Sequence, residues 1–314
     1  MPYTALKKRL DGGDIVILDG ATGTELQRRG IDMDPSAWCG VASLGNQTLL
    51  TEIHRDYIAA GAEVITANTF ASSRLMLTPA GYGDQVEEIN RCAVEAALRA
   101  RDKDPEGREV VVAGSLSHMV PITEGTAKSD LDALPSDAEL SDAFHELAQI
   151  LKAAGAEFIL LEMMYHPVRA RLALEAAQAT GLPIWFGLSA RRGGDGRVIS
   201  FYHREELPLS AVTDLLPGAG VDAAGCMHSA ADLTADALAE IRAAFGGALM
   251  AYPDGGYFEM PDWRFVDVID PQRLEGFFLD WLKQGTQIIG GCCGLTVEHI
   301  KAAVSARGRF RNKL

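Results

Sequence analysis

The chain has 314 residues, 47% of them hydrophobic and 23% charged, which is enough apolar material for a large core. Its net charge of −14 disfavours phosphate backbones and anionic lipid as partners and leaves small molecules as the expected ligands. No stretch reaches the ~20 apolar residues of a membrane span, and the first ten residues lack the apolar run of a signal peptide. Five cysteines, two of them adjacent and too close for an unstrained bridge, indicate a reducing cytoplasm with free or metal-bound thiols.

Short β-branched runs alternate with helical patterns along the chain. Ile15–Leu18 reads as a buried strand ending at Asp19-Gly20, and Asn46–Ala60 as a helix with Leu49, Ile53 and Tyr57 on one face. Glu63–Thr66 is the second strand, followed by a helix over Gln85–Arg101. Val110–Ala113 is the third, stopped by Gly114-Ser115, with a helix over Ala138–Ala153. Phe158–Leu161 is the fourth, ending at Glu162, with a helix over Val168–Ala179. Ile184–Leu188 is the fifth; the Gly-rich stretch Arg191–Gly196 after it reads as a hairpin or mobile loop before a short helix, Leu209–Leu216. The last three pairs are Asp222–Gly225 with Leu233–Phe245, Ala248–Ala251 with Pro271–Lys283, and Gln287–Ile289 with Val297–Ala306.

Eight strand–helix units without a linker predict an α/β protein: one (β/α)8 TIM barrel, a single domain over residues 1–314, with a doubly wound open sheet as the runner-up. In a barrel, the residues that follow the strands share the carboxyl-terminal rim. Asp19-Gly20, Asn68-Thr69, Gly114-Ser115, Glu162, Cys226, Asp254 and Cys292-Cys293 all fall there.

Three rim cysteines, Cys226, Cys292 and Cys293, suit a zinc ion with one open tetrahedral position. The bland alternative is that they are small buried apolar residues. His228, two residues from Cys226, competes as a ligand. Gly20-Ala21-Thr22-Gly23-Thr24 is either a backbone anion nest or a plain turn into a helix over Glu25–Arg29. Cys39 and Cys92 read as structural, and His118 and His166 as loop histidines near the rim. Trp38, Trp185 and Tyr252 read as packing residues.

Leu18–Leu26, His54–Ala62 running into Thr66–Phe70, Gly114-Ser115-Leu116, Leu161-Glu162, Ala251–Asp254 and Gly290–Gly294 form an ordered set. It resembles the homocysteine S-methyltransferase family over about residues 14–306. The resemblance implies zinc held by Cys226, Cys292 and Cys293. It places an amino-acid substrate site at Asp19, Gly20, Ala21, Thr22, Gly23, Thr24, Asn68, Gly114, Ser115 and Glu162. Backbone amides of the first turn would take the substrate carboxylate, and Glu162 with Asp19 its ammonium.

The implied reaction is methyl transfer from a sulfonium, S-methylmethionine or S-adenosylmethionine, to homocysteine, in a cytoplasmic monomer or homodimer. The sequence departs from the family at Gly225, where Asn is usual, at Ser117-His118, where Gly-Pro is usual, at Asp254 for Asn and at Leu295 for Thr. These departures leave open another thiol or selenol acceptor and another donor; a noncatalytic zinc-binding derivative is a separate alternative. A metal-free barrel lyase or aldolase is the remaining alternative.

Overall fold

The computed structural model describes residues 2–123, 126, 129–130, 132–260 and 264–312. Its eight barrel strands are β1 (Val16–Ile17), β2 (Val64–Thr66), β3 (Val111–Ser117), β4 (Phe158–Met164), β5 (Ile184–Leu188), β6 (Ala223–Met227), β7 (Ala248–Tyr252) and β8 (Thr286–Ile289). They pair in parallel in the order β1-β8-β7-β6-β5-β4-β3-β2. A parallel bridge between Leu18 and Val64 joins β1 to β2 and closes the ring. The structure is therefore the (β/α)8 barrel expected from the sequence, not the open sheet.

Alternation along each strand sorts side chains into two layers. Val16, Leu18, Val64, Val111, Ala113, Phe158, Leu160, Trp185, Ala223, Met250 and Ile288 fill the barrel interior. Ile17, Ile65, Val112, Ile159, Phe186, Ala224 and Leu249 pack outward under the helices. The helix Tyr3–Asp11, not expected from the sequence, buries Tyr3, Leu6 and Leu10 against the interior set. Tyr3 donates to Asp222 (2.7 Å) and accepts from Trp185 Nε1 (2.9 Å), which seals the amino-terminal end. The mouth is thus the opposite rim.

Local chemistry explains the helix ends. The Asp270 side chain accepts from the Gln272 and Arg273 amides and Pro271 follows it, so Pro271–Lys283 begins where the sequence said. Ser136 and Glu139 form a capping box on Asp137–Ala154. Arg191–Gly196 lies in an antiparallel hairpin, Ala190–Arg192 with Val198–Ser200, after β5.

Four strands run further than expected, β7 only by Tyr252. β3 continues through Gly114 and Ser115, β4 through Glu162 and β6 through Cys226. Gly114 is tolerated because its missing side chain faces Leu151 and Ala156, where a Cβ would meet atoms at 3.1 Å. Ser115 and Glu162 are tolerated because they satisfy each other.

Candidate active site

The last inward positions of the strands line the mouth. Asp19, 2% exposed, follows β1 and accepts from the Thr66 amide (2.7 Å) and hydroxyl (3.1 Å) of β2. Glu162, 8% exposed, accepts from the Ser115 hydroxyl of β3. The buried Tyr252 hydroxyl of β7 lies beside the same carboxylate.

Burial pushes Glu162 up to about 7, against the hydrogen bond from Ser115. Burial also holds Asp19 well above the ordinary carboxylate range, although its bonds from Thr66 pull the other way, and the nearby Glu162 charge adds to the rise. Two buried carboxyls on one mouth are poised to take a cation.

Beyond β8, Cys292 Sγ lies 3.8 Å from Cys293 Sγ and 3.6 Å from His228 Nδ1. Ligand atoms of His228, Cys292 and Cys293 all lie within 4.8 Å of one another. His228 reaches this position through a left-handed backbone, φ 42°, a region that non-glycine residues seldom occupy and that recurs at functional sites. Met163, directly after Glu162, is also left-handed, with φ 55°, and the β4–β5 register shifts there. Burial pulls the His228 imidazole down, but Cys292 beside it, with the charges of Asp254 and Glu162, outweighs that and holds it up at about 9.

The structure does not bring every expected residue to this cluster. Cys226 lies on the outward face of β6, with Ala224, against the Ser229 and Thr234 hydroxyls. Burial raises its thiol to about 11. The inward neighbour is Met227, whose sulfur accepts from the Met163 amide and the Ser189 hydroxyl.

Thr22, Gly23 and Thr24 belong to the helix Thr22–Arg28 rather than to an open turn. The Ala21 amide donates to Leu295 O (3.0 Å), and Thr24 Oγ1 accepts from the Gly294 amide (3.1 Å), which ties this turn to the cysteine loop. A Cβ on Gly20 would meet Leu295 O at 2.5 Å, so only glycine allows that approach. Asn68 spends its amide on Cys39 O (2.9 Å) and Ser43 Oγ (3.2 Å) and lies close to Cys39 Sγ. Gly114 faces the helices. Cys92 is a free, buried helix residue, as is Cys39 in its loop.

Sequence reasoning treated Tyr252 as packing, and its hydroxyl faces Glu162. It also kept His228 only as a competitor. The period-two alternation of β6, which puts Met227 inward and Cys226 outward, was the available signal for both sulfur positions.

A (β/α)8 barrel with buried carboxyls and clustered thiols at its carboxyl-terminal mouth belongs to the class of barrel enzymes. Comparison with known proteins gives the family. The homocysteine S-methyltransferase profile matches residues 16–307. The chain is 30% identical over 322 residues to a homocysteine S-methyltransferase of Escherichia coli (strain K12), spanning 96% of this chain and 98% of that one. It is 24% identical over 335 residues to a selenocysteine Se-methyltransferase of Brassica oleracea var. italica, spanning 98% and 94%.

Among solved structures, the metallated form of the Escherichia coli homocysteine methyltransferase MmuM aligns with a TM-score of 0.75 at 24% identity, over 96% of this chain and 99% of that one. The chain belongs to the homocysteine S-methyltransferase family and is a methyltransferase. No helix among the described residues is long and apolar enough to cross a membrane.

Proposed function

We propose that this methyltransferase is zinc-dependent and moves a methyl group from a sulfonium donor, S-methylmethionine or S-adenosylmethionine, to the thiol of L-homocysteine, giving methionine. The observation that carries the metal reading is the convergence of His228, Cys292 and Cys293 within 4.8 Å at the barrel mouth. Thiolate and imidazole donors suit zinc rather than magnesium or calcium, and three protein ligands leave a position for substrate.

Cys292 and Cys293 are two ligands of the proposed site, and β6 or the turn after it supplies the third. The family resemblance assigns that role to Cys226. The geometry favours His228, since Cys226 must leave Ser229 and Thr234 to join the pair. Cobalt substitution separates the two. With His228 as ligand, Cys226→Ser keeps the thiolate-to-cobalt absorption and His228→Ala perturbs it; with Cys226 as ligand the pattern reverses.

A bound zinc ion supplies Lewis acidity, so that a thiol with an ordinary pKa near ~8.5 loses its proton at neutral pH. The residues of the chain place the reactants. Glu162 and Asp19 hold the acceptor ammonium, and the Gly20–Thr24 segment receives its carboxylate. Ser115 orients Glu162. The acceptor sulfur then forms a bond to the methyl carbon as the donor carbon–sulfur bond breaks. That electron pair stays on the donor sulfur, which leaves as a neutral thioether and needs no protein acid. Alignment alone can lower such a barrier by about 7–11 kcal/mol.

A second reading, methylation of a selenol, draws on the Brassica relative named for selenocysteine. The substrates are small molecules in either case, and five free thiols suit a reducing cytoplasm. The test is zinc content of the reduced protein together with methionine formation from homocysteine and each sulfonium. Zinc without turnover on thiol or selenol favours the noncatalytic derivative, and absence of zinc sinks the proposal.

A further inference from the structure

Two buried hydrogen-bond donors near the mouth have no acceptor. His118, fully buried just after β3, accepts from the Tyr165 amide (3.0 Å) and the His166 amide (3.2 Å) through Nε2. Those bonds fix the tautomer: the proton is on Nδ1, and Nδ1 is buried with no partner. Arg169, 6% exposed in the first turn of the helix Pro167–Gln178, has its NH1 nitrogen buried without a partner. Among the described residues no carboxylate forms a salt bridge with it.

The surroundings are cationic in a chain of net charge −14. Arg169 acts electrostatically on both His118 and His166, Arg204 acts on His166, and the charge of Asp137 opposes them there. A buried guanidinium without a counter-charge is strongly disfavoured, and a water molecule satisfies its hydrogen bonds without neutralising it.

An aromatic path runs from these two side chains to the thiol cluster. His118 packs edge-on against Tyr165 at 4.3 Å, Tyr165 lies 6.0 Å from Phe201, and Phe201 lies 5.4 Å from His228, which touches Cys292. Tyr202 stacks on Tyr165. Aromatic faces attract an onium cation.

We infer that Arg169 and His118 form a carboxylate subsite for the methyl donor, whose onium centre lies along the Tyr165–Phe201 wall facing the thiols. The ligand class is a zwitterion carrying a methylated sulfonium or ammonium and a carboxylate. His118 stands where the family resemblance has proline, which has no side-chain donor to offer a carboxylate. The inference rests on the proposed reaction only for the role of the ligand, since binding is measured without turnover.

The test is calorimetry on the purified full-length protein with two acid–ester pairs, S-methylmethionine and its methyl ester, and glycine betaine and its methyl ester. Loss of a charge-assisted bond at a buried site corresponds to about tenfold or more in affinity. One acid is expected to bind wild type at least tenfold more tightly than its ester, with that preference falling to near unity in Arg169→Met.

His118→Gln, whose amide oxygen accepts from the two backbone amides while its NH2 donors leave the Nδ1 position, is expected to reduce the preference as well, and serves if Arg169→Met fails to fold. Homocysteine affinity distinguishes the source of the carboxylate. If Arg169→Met weakens homocysteine instead, the subsite belongs to the acceptor and the donor assignment falls. No acid preference in wild type, absence of binding included, or a preference that survives both substitutions overturns the inference. Methionine formation, assayed separately, reports on the proposed reaction itself.

Discussion

The Ser115 hydroxyl donates to the Glu162 carboxylate across the β3–β4 pair, inside the barrel, where water does not reach either group freely. The bond keeps a carboxyl at the mouth in one orientation while burial raises it to about 7. Its titration therefore has consequences for both folding and binding.

Glu162, raised to about 7 from 4.5, binds more protons in the folded chain than in the unfolded one between those values. Its contribution to stability is fully present below pH 4.5 and is lost as pH rises through about 7, on the order of 3 kcal/mol over the window. Melting temperatures of Glu162→Gln across pH 4.5–8 should lack that decline. Binding has the opposite sign, because an ammonium needs the ionised carboxylate. Affinity for methionine, which has no thiol to titrate, should rise with pH through about 7 in wild type and stay flat in the variant.

His54 moves stability the other way. It is fully buried in the helix Gln47–Ala60, neither ring nitrogen has a partner, and burial lowers it to about 4. The folded chain resists protonation that the unfolded chain accepts. The stability it contributes is present above pH 6.5 and disappears as pH falls through about 4, again about 3 kcal/mol. His54→Leu should melt no lower than wild type at pH 7 and be distinctly more acid-resistant. A urea midpoint at pH 4.5 equal to that of wild type would contradict this.

Gly225 is fixed by its neighbour strand. A Cβ there would sit 1.8 Å from the Met250 carbonyl oxygen. Gly225→Ala should destabilise the barrel by about 1–3 kcal/mol or more, and Gly225→Asn, the family's usual residue, should do no better. Denaturant unfolding measures both; a neutral Gly225→Asn would mean that β6 and β7 separate easily.

Chelation should lower the melting temperature if the site at Cys292 and Cys293 takes zinc, because a ligand that binds only the folded chain stabilises it by RT ln(1 + [L]/Kd). Added zinc should restore the loss and magnesium should not. Cys292→Ser should abolish the response, whereas Cys39→Ser, in a separate buried loop, should retain it.

Strand and helix positions were legible because they depend on local pattern. Pro271–Lys283 carries its own cap in Asp270 and Pro271, and β5 is a run of apolar residues with a sharp end. The extent of β3, β4 and β6 was not legible. Gly114, Glu162 and Gly225 look like strand terminators by propensity, and only the pairing with adjacent strands carries β3, β4 and β6 through them. The helix Tyr3–Asp11 was missed because its meaning lies in the open barrel end that it covers.

Hydrophobic periodicity by itself determined that strands and helices alternate eight times and that the chemically active side chains follow strand ends; closure into a ring came from the Leu18–Val64 bridge. Only the tertiary structure decided which way each of them faces there. Strand pleat turned Cys226 toward the helices, and a left-handed backbone turned His228 toward Cys292. The reason is physical: alternation and rise are properties of a segment, whereas the direction of a rim side chain depends on what the neighbouring strands and loops leave free.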